Sequence, residues 1–151
     1  MDYIKEYERW LSEKSLTDAE REELLAIKGN ETEIEDRFFA PLKFGTAGLR
    51  GTLGAGTNRM NIWVVRQATQ GVANWVKTQG GNQTVAIAYD SRLKSDVFAK
   101  EAAGVLAGNY DIEQVYVDGL LKIGEKNVQA LGELLEKIDA IASDKLVVVT
   151  V

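Results

Sequence analysis

Cysteine and histidine are both absent from this 151-residue chain, and proline occurs once. Without cysteine there is neither a disulfide framework nor a thiolate metal site. Without histidine, imidazole is removed as general base, nucleophile, phosphate carrier or metal ligand, so any chemistry falls to carboxylates, hydroxyls, lysine and arginine. A lone proline leaves no obvious rigid linker, and 45% hydrophobic content in a chain of this length can bury one sizeable core. Long apolar runs are lacking too. None approaches membrane-spanning length, and the opening Met-Asp-Tyr-Ile-Lys-Glu has no apolar signal core. These absences predict one compact, soluble, cytoplasmic domain that does not engage a membrane.

What is present is a segregated charge pattern inside a net charge of −5. Residues 1–42 hold six basic and twelve acidic side chains, residues 43–100 eight and two, and residues 101–151 four and nine, giving local balances of −6, +6 and −5. An anion, if bound, is therefore expected at the middle of the chain. Nucleic acid is not expected as a partner, because the net charge is acidic and no basic run is interleaved with aromatics.

Period and punctuation divide the chain coarsely. Ile4, Tyr7, Trp10 and Leu11 recur at helical spacing; a capping box at Thr17-Asp18-Ala19-Glu20 predicts a second helix that stops at Gly29; Thr32 to Phe39, opening on another Thr-x-x-Glu, predicts a third. Residues 1–42 thus read as a helical N-terminal extension, expected to pack on the domain that follows rather than to form a partner-binding arm. Residues 43–151 read as α/β. Ile62, Val65, Val72, Trp75 and Val76 share one side of a helix ending near Gly80, Thr84 to Tyr89 is a strand, and Ser95 caps a helix through Val97, Ala102, Val105 and Leu106. Glu113 to Val117 is a second strand, and a helix carrying Val128 to Ile138 leads to a third at Lys145 to Val151. The alternation predicts a three-layer α/β domain on a mainly parallel, mixed sheet, with Val85, Ile87, Val115, Val117, Val147 and Val149 among its most buried residues and Lys43 to Leu53 as an added strand or hairpin. The apolar, uncharged end strand offers a route to self-association if it lies at a sheet edge.

The stretch Lys43 to Asn61, KFGTAGLRGTLGAGTNRMN, packs five glycines and two arginines into nineteen residues. It fits neither of two familiar glycine motifs. Gly51 to Gly56 begins as a P-loop does, but Thr57 and Asn58 stand where a phosphate-gripping Lys and a magnesium-binding hydroxyl belong; Gly54-Ala55-Gly56 lacks the third glycine of a dinucleotide fingerprint. The residues do offer a backbone that a ligand can approach closely, with the Thr46 hydroxyl and the forked guanidinium of Arg50 suited to phosphate oxygens. The alternative is a β-hairpin with glycines at its turns and Arg50 on a solvated face.

Phe44-Gly45-Thr46-Ala47-Gly48-Leu49-Arg50-Gly51, continued by Gly54 and Thr57-Asn58-Arg59-Met60-Asn61, resembles the start of the first domain of the α-D-phosphohexomutases. Gln67-Ala68-Thr69-Gln70-Gly71, Tyr89-Asp90-Ser91-Arg92, Phe98-Ala99-Lys100 and Ala102-Ala103-Gly104-Val105-Leu106 follow in the family's order, so the resemblance covers the chain to about Ala107. It is closest to the phosphoglucomutase and phosphopentomutase branch, which also carries a helical N-terminal extension. The resemblance implies an isomerase that moves a phosphoryl group within a sugar phosphate through a phosphoserine, using magnesium and a sugar bisphosphate activator. Arg50 is then the active-site arginine near the phosphoserine, and Thr46, Gly48 and Arg50 form its phosphate-binding loop. Asp90 and Arg92 follow a strand end, where they either approach substrate or close a buried turn through an Asp–Arg contact. Lys94 and Lys100 are expected to be solvated.

After Val117 the family's Pro-Thr-Pro segment is replaced by Asp118-Gly119-Leu120-Leu121-Lys122-Ile123-Gly124, and the last expected strand reaches Val149-Thr150-Val151, where the resemblance implies that a Thr-Ala-Ser-His-Asn-Pro serine loop would start. Ser143 precedes the last strand instead of following it, so it is not taken as the nucleophile. No metal ligand set and no bound cofactor are expected in this chain. The expectation is a mutase first domain that is inactive alone and binds phosphate or a sugar phosphate weakly, with the remaining mutase domains as natural partners; the alternative is a non-catalytic α/β scaffold, truncated, recombined or engineered.

Overall fold

The computed structural model describes residues 2–45, 48–79 and 84–109, together with the backbone of 114–118 and 147–150. The chain divides into two compact units, Met1–Val64 and Val65–Val151.

The first unit opens with three short helices: α1 (Tyr3–Ser12), α2 (Asp18–Ala26) and α3 (Glu31–Phe38). Each begins on a side-chain cap, since the first N–H groups of a helix have no partner within it. Asp2 accepts from Lys5 N–H, and Thr17 and Glu20 complete the expected capping box. The cap of α3 is Asn30, which accepts from Glu33 N–H at 3.2 Å, and not Thr32 as the Thr-x-x-Glu pattern suggests. An Asn directly after the turn at Gly29 wins because the chain is already folded back there, and Thr32 falls inside the helix.

These helices bury a common core of Tyr7, Trp10, Leu16, Leu24, Ile34, Phe38 and Ala55. Phe38 is fully buried, and Tyr7 and Trp10 meet its ring edge-on at centroid distances of 5.8 and 5.7 Å. The Tyr7 hydroxyl donates to Leu24 O at 3.0 Å, so the ring enters the core without an orphaned polar group. Ala55 belongs to the glycine-rich stretch, and Trp63, just beyond it, packs on the same cluster and donates to Glu20 at 2.9 Å. The first half of the glycine-rich stretch holds two strands of two residues each, β1 (Phe44–Gly45) and β2 (Gly48–Leu49), paired antiparallel as the expected hairpin.

The second unit contains most of α4 (Ile62–Gln79), then β3 (Thr84–Ala88), α5 (Ser95–Ala107), β4 (Gln114–Asp118) and β5 (Val147–Thr150). The strands are parallel in the order β4-β3-β5, with Val85 opposite Val115 and Val147, and Ile87 opposite Val117 and Val149. All of β3 is buried, on both alternating sets of side chains, which is the pattern of a central parallel strand covered on both faces. The expected helix from Val128 to Ile138, Ser143, and the burial of Val115, Val117, Val147 and Val149 lie outside the described residues.

Two local expectations are corrected. Ser95 is the first residue of α5 and not its cap: its hydroxyl accepts from Asp90 N–H at 3.2 Å, while Lys94 holds the cap position in the left-handed region at φ 66° with no side-chain cap bond. The buried stripe of α4 in this unit runs through Val65, Thr69, Ala73 and Val76, whereas Trp75 is 53% exposed. Trp75 lies well round the helix from that stripe, and the small Thr69 and Ala73 take the inward positions. Among the described residues no helix is long and apolar enough to cross a membrane.

Candidate functional site

The glycine-rich stretch separates into two parts with different work. Its second half, Gly54 to Asn61, is fastened to α2 and α3. The Arg37 guanidinium bonds Glu23 at 2.5 Å, Glu33 at 2.8 Å and Ala55 O at 3.2 Å, and the second Glu23 oxygen accepts Ala55 N–H at 3.2 Å. Burial works against a charged Arg37, but the hydrogen bonds and charges of Glu23 and Glu33 outweigh it and hold its pKa above the ordinary arginine value. Arg59 is buried and pairs with the Asp36 carboxylate. Asn58 donates through its backbone to Arg37 O and through its side chain to Asp36 O, both at 2.9 Å. Gly56 has φ +134°, and a Cβ there would stand 2.9 Å from the Arg37 carbonyl oxygen; only glycine permits both the conformation and the approach.

The first half is the hairpin, and it carries Arg50 just after β2. Gly48 adopts φ +97° with nothing within 4 Å of a Cβ built on it, so glycine is required there for backbone conformation alone. Thr46 lies outside the described residues. Arg50 is exposed. Among the described arginines it alone has no carboxylate or carbonyl partner: Arg9 pairs with Glu6, Arg21 with Leu11 O and Glu13 O, Arg37 and Arg59 as above, Arg66 with Glu101, and Arg92 with Asp90.

Asp90 and Arg92 belong to the second unit. Asp90 accepts Arg92 N–H at 3.0 Å and the Arg92 guanidinium at 2.5 Å, closing the turn between β3 and α5. The backbone bond from Arg92, aided by its guanidinium and by Ser95, holds the Asp90 carboxyl below the usual aspartate range. The Asp–Arg contact is present, but the turn is not buried: the Arg92 side chain is 68% exposed. A β-strand ending at a surface helix start leaves such a turn in water. Lys94 and Lys100 are both exposed, the latter 3.7 Å from Asp96.

Magnesium does not fit what is described. Among the described residues no three or more carboxylates come together as metal ligands, and Glu23, Glu33 and Asp36 are committed to arginines.

The hairpin, the exposed Arg50 and the parallel strands meet in one comparison. The sequence profile of the phosphoglucomutase/phosphomannomutase alpha/beta/alpha domain I family matches residues 41–124, more than half of the chain. The chain belongs to this family. The domain I match includes the hairpin, the fastened segment, the Asp90-Arg92 turn and β4, and it reaches beyond Ala107, where the quoted motifs end. A phosphoglucomutase of Staphylococcus aureus strain RF122 is 40% identical over 77 residues, 51% of this chain and 14% of its own length. A phosphoribomutase of Saccharomyces cerevisiae is 42% identical over 85 residues, 54% of this chain and 14% of its own. A phosphoglucomutase of Staphylococcus saprophyticus is 39% identical over 83 residues, 52% and 15% respectively. The chain thus spans about one seventh of the length of these relatives. No solved structure matches it.

Reasoning from the sequence identified Arg50 and the glycines but gave no role to Glu23, Arg37, Asp36, Arg59 or Asn61. For Asn61 a signal existed: it directly precedes the helical period starting at Ile62, the place of an N-cap. The Glu33–Arg37 pair has helical i,i+4 spacing, but the Glu23–Arg37 and Asp36–Arg59 pairs had no signal, because their partners are 14 and 23 residues apart.

Proposed function

We propose that this chain provides the phosphate-contacting first domain of a sugar-phosphate mutase of the phosphoglucomutase type, an isomerase acting by intramolecular phosphoryl transfer through a phosphoserine. The observation that carries the reading is Arg50, exposed on a glycine hairpin and without a partner among the described residues, in a chain whose other described arginines are engaged. Phosphoryl transfer depends on positioning and on stabilising charge on the phosphoryl oxygens, and a forked guanidinium supplies both. The Gly48 N–H is then a further phosphate contact, and Thr46 is assigned with it from the sequence alone. On this reading residues 43–151 form the three-layer domain, residues 1–42 its helical extension, and the protein works in the cytoplasm with the other mutase domains. The chain alone binds phosphate weakly and does not turn over sugar phosphate, since no Thr-Ala-Ser-His-Asn-Pro segment occurs in it.

Titration of the 15N-labelled chain with inorganic phosphate at low ionic strength tests this. The amide signals of Gly45, Gly48 and Gly51 should move first, with a dissociation constant of roughly 1 mM, equivalent to about 4 kcal/mol. Arg50→Ala should abolish the response while a coupled mutase assay reads zero for both proteins. Shifts spread evenly over Lys94 and Lys100, or none at all, would leave a non-catalytic α/β scaffold as the function of this chain.

A further inference from the structure

Both stems of the Arg50 hairpin end on the same short segment. Before the hairpin, Leu42 N–H donates to Thr57 O at 2.8 Å; after it, Thr52 O accepts from Met60 N–H at 2.8 Å. The Leu42 side chain lies so close to Gly51 that a Cβ there would come within 2.8 Å of it, so the stems also press on each other. Thr57 and Met60 in turn belong to the segment fixed on α2 and α3. At its centre Ala55 is gripped through both backbone polar groups, its N–H by Glu23 and its carbonyl by Arg37, each at 3.2 Å. Glu23 and Arg37 bond each other as well.

A pair of two-residue strands has almost no stability of its own, so the direction of the hairpin is set by its stems. A guanidinium grips phosphate through a planar fork, and the value of that contact depends on where the fork points. We infer that Glu23 and Arg37, although they lie in the helices before the glycine-rich stretch, are positioning residues for Arg50, acting through Ala55, Thr57 and Met60. This rests on the reading of Arg50 as a phosphate contact.

The test is the same phosphate titration on Glu23→Gln, Arg37→Lys and Ile34→Val. The first keeps one acceptor oxygen and turns an amide N–H₂ toward one of the two donors, Arg37 or Ala55 N–H, that Glu23 now satisfies. The second keeps the charge but replaces the fork with one ammonium, which cannot span Glu23, Glu33 and Ala55 O together. The third removes a methylene from the same core and leaves the junction intact. Both junction variants should weaken phosphate binding at Gly45, Gly48 and Gly51 by roughly fivefold, while Ile34→Val keeps wild-type affinity despite its lower stability. Wild-type affinity in either folded junction variant overturns the inference and leaves the phosphate reading standing. So does a loss of affinity in all three that merely follows their stability. If the unmutated chain itself fails to respond, the phosphate reading falls first and the inference with it.

Discussion

Asn61 is the side chain on which the fastened segment depends most. It is buried, and its amide nitrogen donates to Gly56 O at 2.8 Å, Gly54 O at 2.9 Å and Arg59 O at 3.3 Å, while its oxygen accepts Val64 N–H at 2.9 Å in the first turn of α4. Asn61→Ala removes a helix cap, worth about 1 kcal/mol. It also leaves the two best-bonded carbonyls facing an empty space, at about 1 kcal/mol each. The expected cost is about 3 kcal/mol. Asn61→Asp separates the two roles, because aspartate caps a helix as well as asparagine does but cannot donate to carbonyls. If capping were all that mattered, Asn61→Asp would be neutral; the structure instead places its charge against three carbonyl oxygens and predicts a loss at pH 7 at least as large as that of alanine. Those oxygens disfavour the ionised form, so the introduced carboxyl should have a folded-state pKa above its unfolded one. The folded state then binds more protons, and the deficit should shrink as pH falls through the folded pKa. Urea unfolding followed by the indole NMR signals of Trp10 and Trp63, both in the first unit, measures this without requiring the whole chain to unfold in one step. A loss under 1 kcal/mol in Asn61→Ala, or a wild-type-like Asn61→Asp at pH 7, would refute the reasoning.

Gly56→Ala should cost about 2 kcal/mol or more, through both its φ of +134° and the contact with the Arg37 carbonyl, whereas Gly71→Ala, in α4 with nothing within 4 Å, should stabilise by up to about 1 kcal/mol; chemical denaturation of both separates constrained from free glycines. The hydrogen bonds and charge of Arg9, with a further bond from the Trp10 indole, hold the Glu6 carboxyl below the usual glutamate range against the opposing effect of burial. Its contribution is therefore present above the unfolded pKa and lost as pH falls through the lower folded one, so Glu6→Gln should be less stable than the natural chain at pH 7 and equal to it near pH 2 in urea melts.

The parts of the fold that were legible in the sequence are those decided by neighbours in the chain. The capping box at Thr17 and Glu20 formed because its two partners are three residues apart. The three strands were readable from β-branched runs, and their parallel direction from the strand-helix alternation expected along the chain; their order, with β3 between β4 and β5, was not. Errors arose where a local cue met a competing partner. The Ser95 hydroxyl accepts from Asp90 N–H instead of capping α5, Asn30 takes the cap expected of Thr32, and Thr69 and Ala73 fill the face of α4 expected to include Trp75. At the candidate site the glycines and Arg50 could be read, since a flexible backbone beside a forked cation is a local pattern. What holds them could not, since Glu23 reaches 32 residues along the chain to Ala55.

The charge segregation of the sequence also resolves differently in three dimensions. A basic middle between acidic flanks suggests an open field for an anion, but half of its eight basic side chains are engaged in ion pairs among the described residues. Arg59 is neutralised by Asp36 in the acidic first segment, Arg66 by Glu101 in the last, Arg92 by Asp90 and Lys100 by Asp96. Proximity decides this: an ion pair in direct contact outweighs a diffuse balance summed over a long segment and screened by salt. Of the basic residues of the middle segment that lie in the first unit, Arg50 and Lys43 are the two with no ion pair among the described residues. The acidic helix that pairs with Arg59 also helps to fix the segment from which the hairpin springs. Pairing Arg59 and Arg37 with Glu23, Glu33 and Asp36, while Arg50 has no partner among the described residues, leaves the hairpin arginine as the guanidinium of the first unit open to an anion.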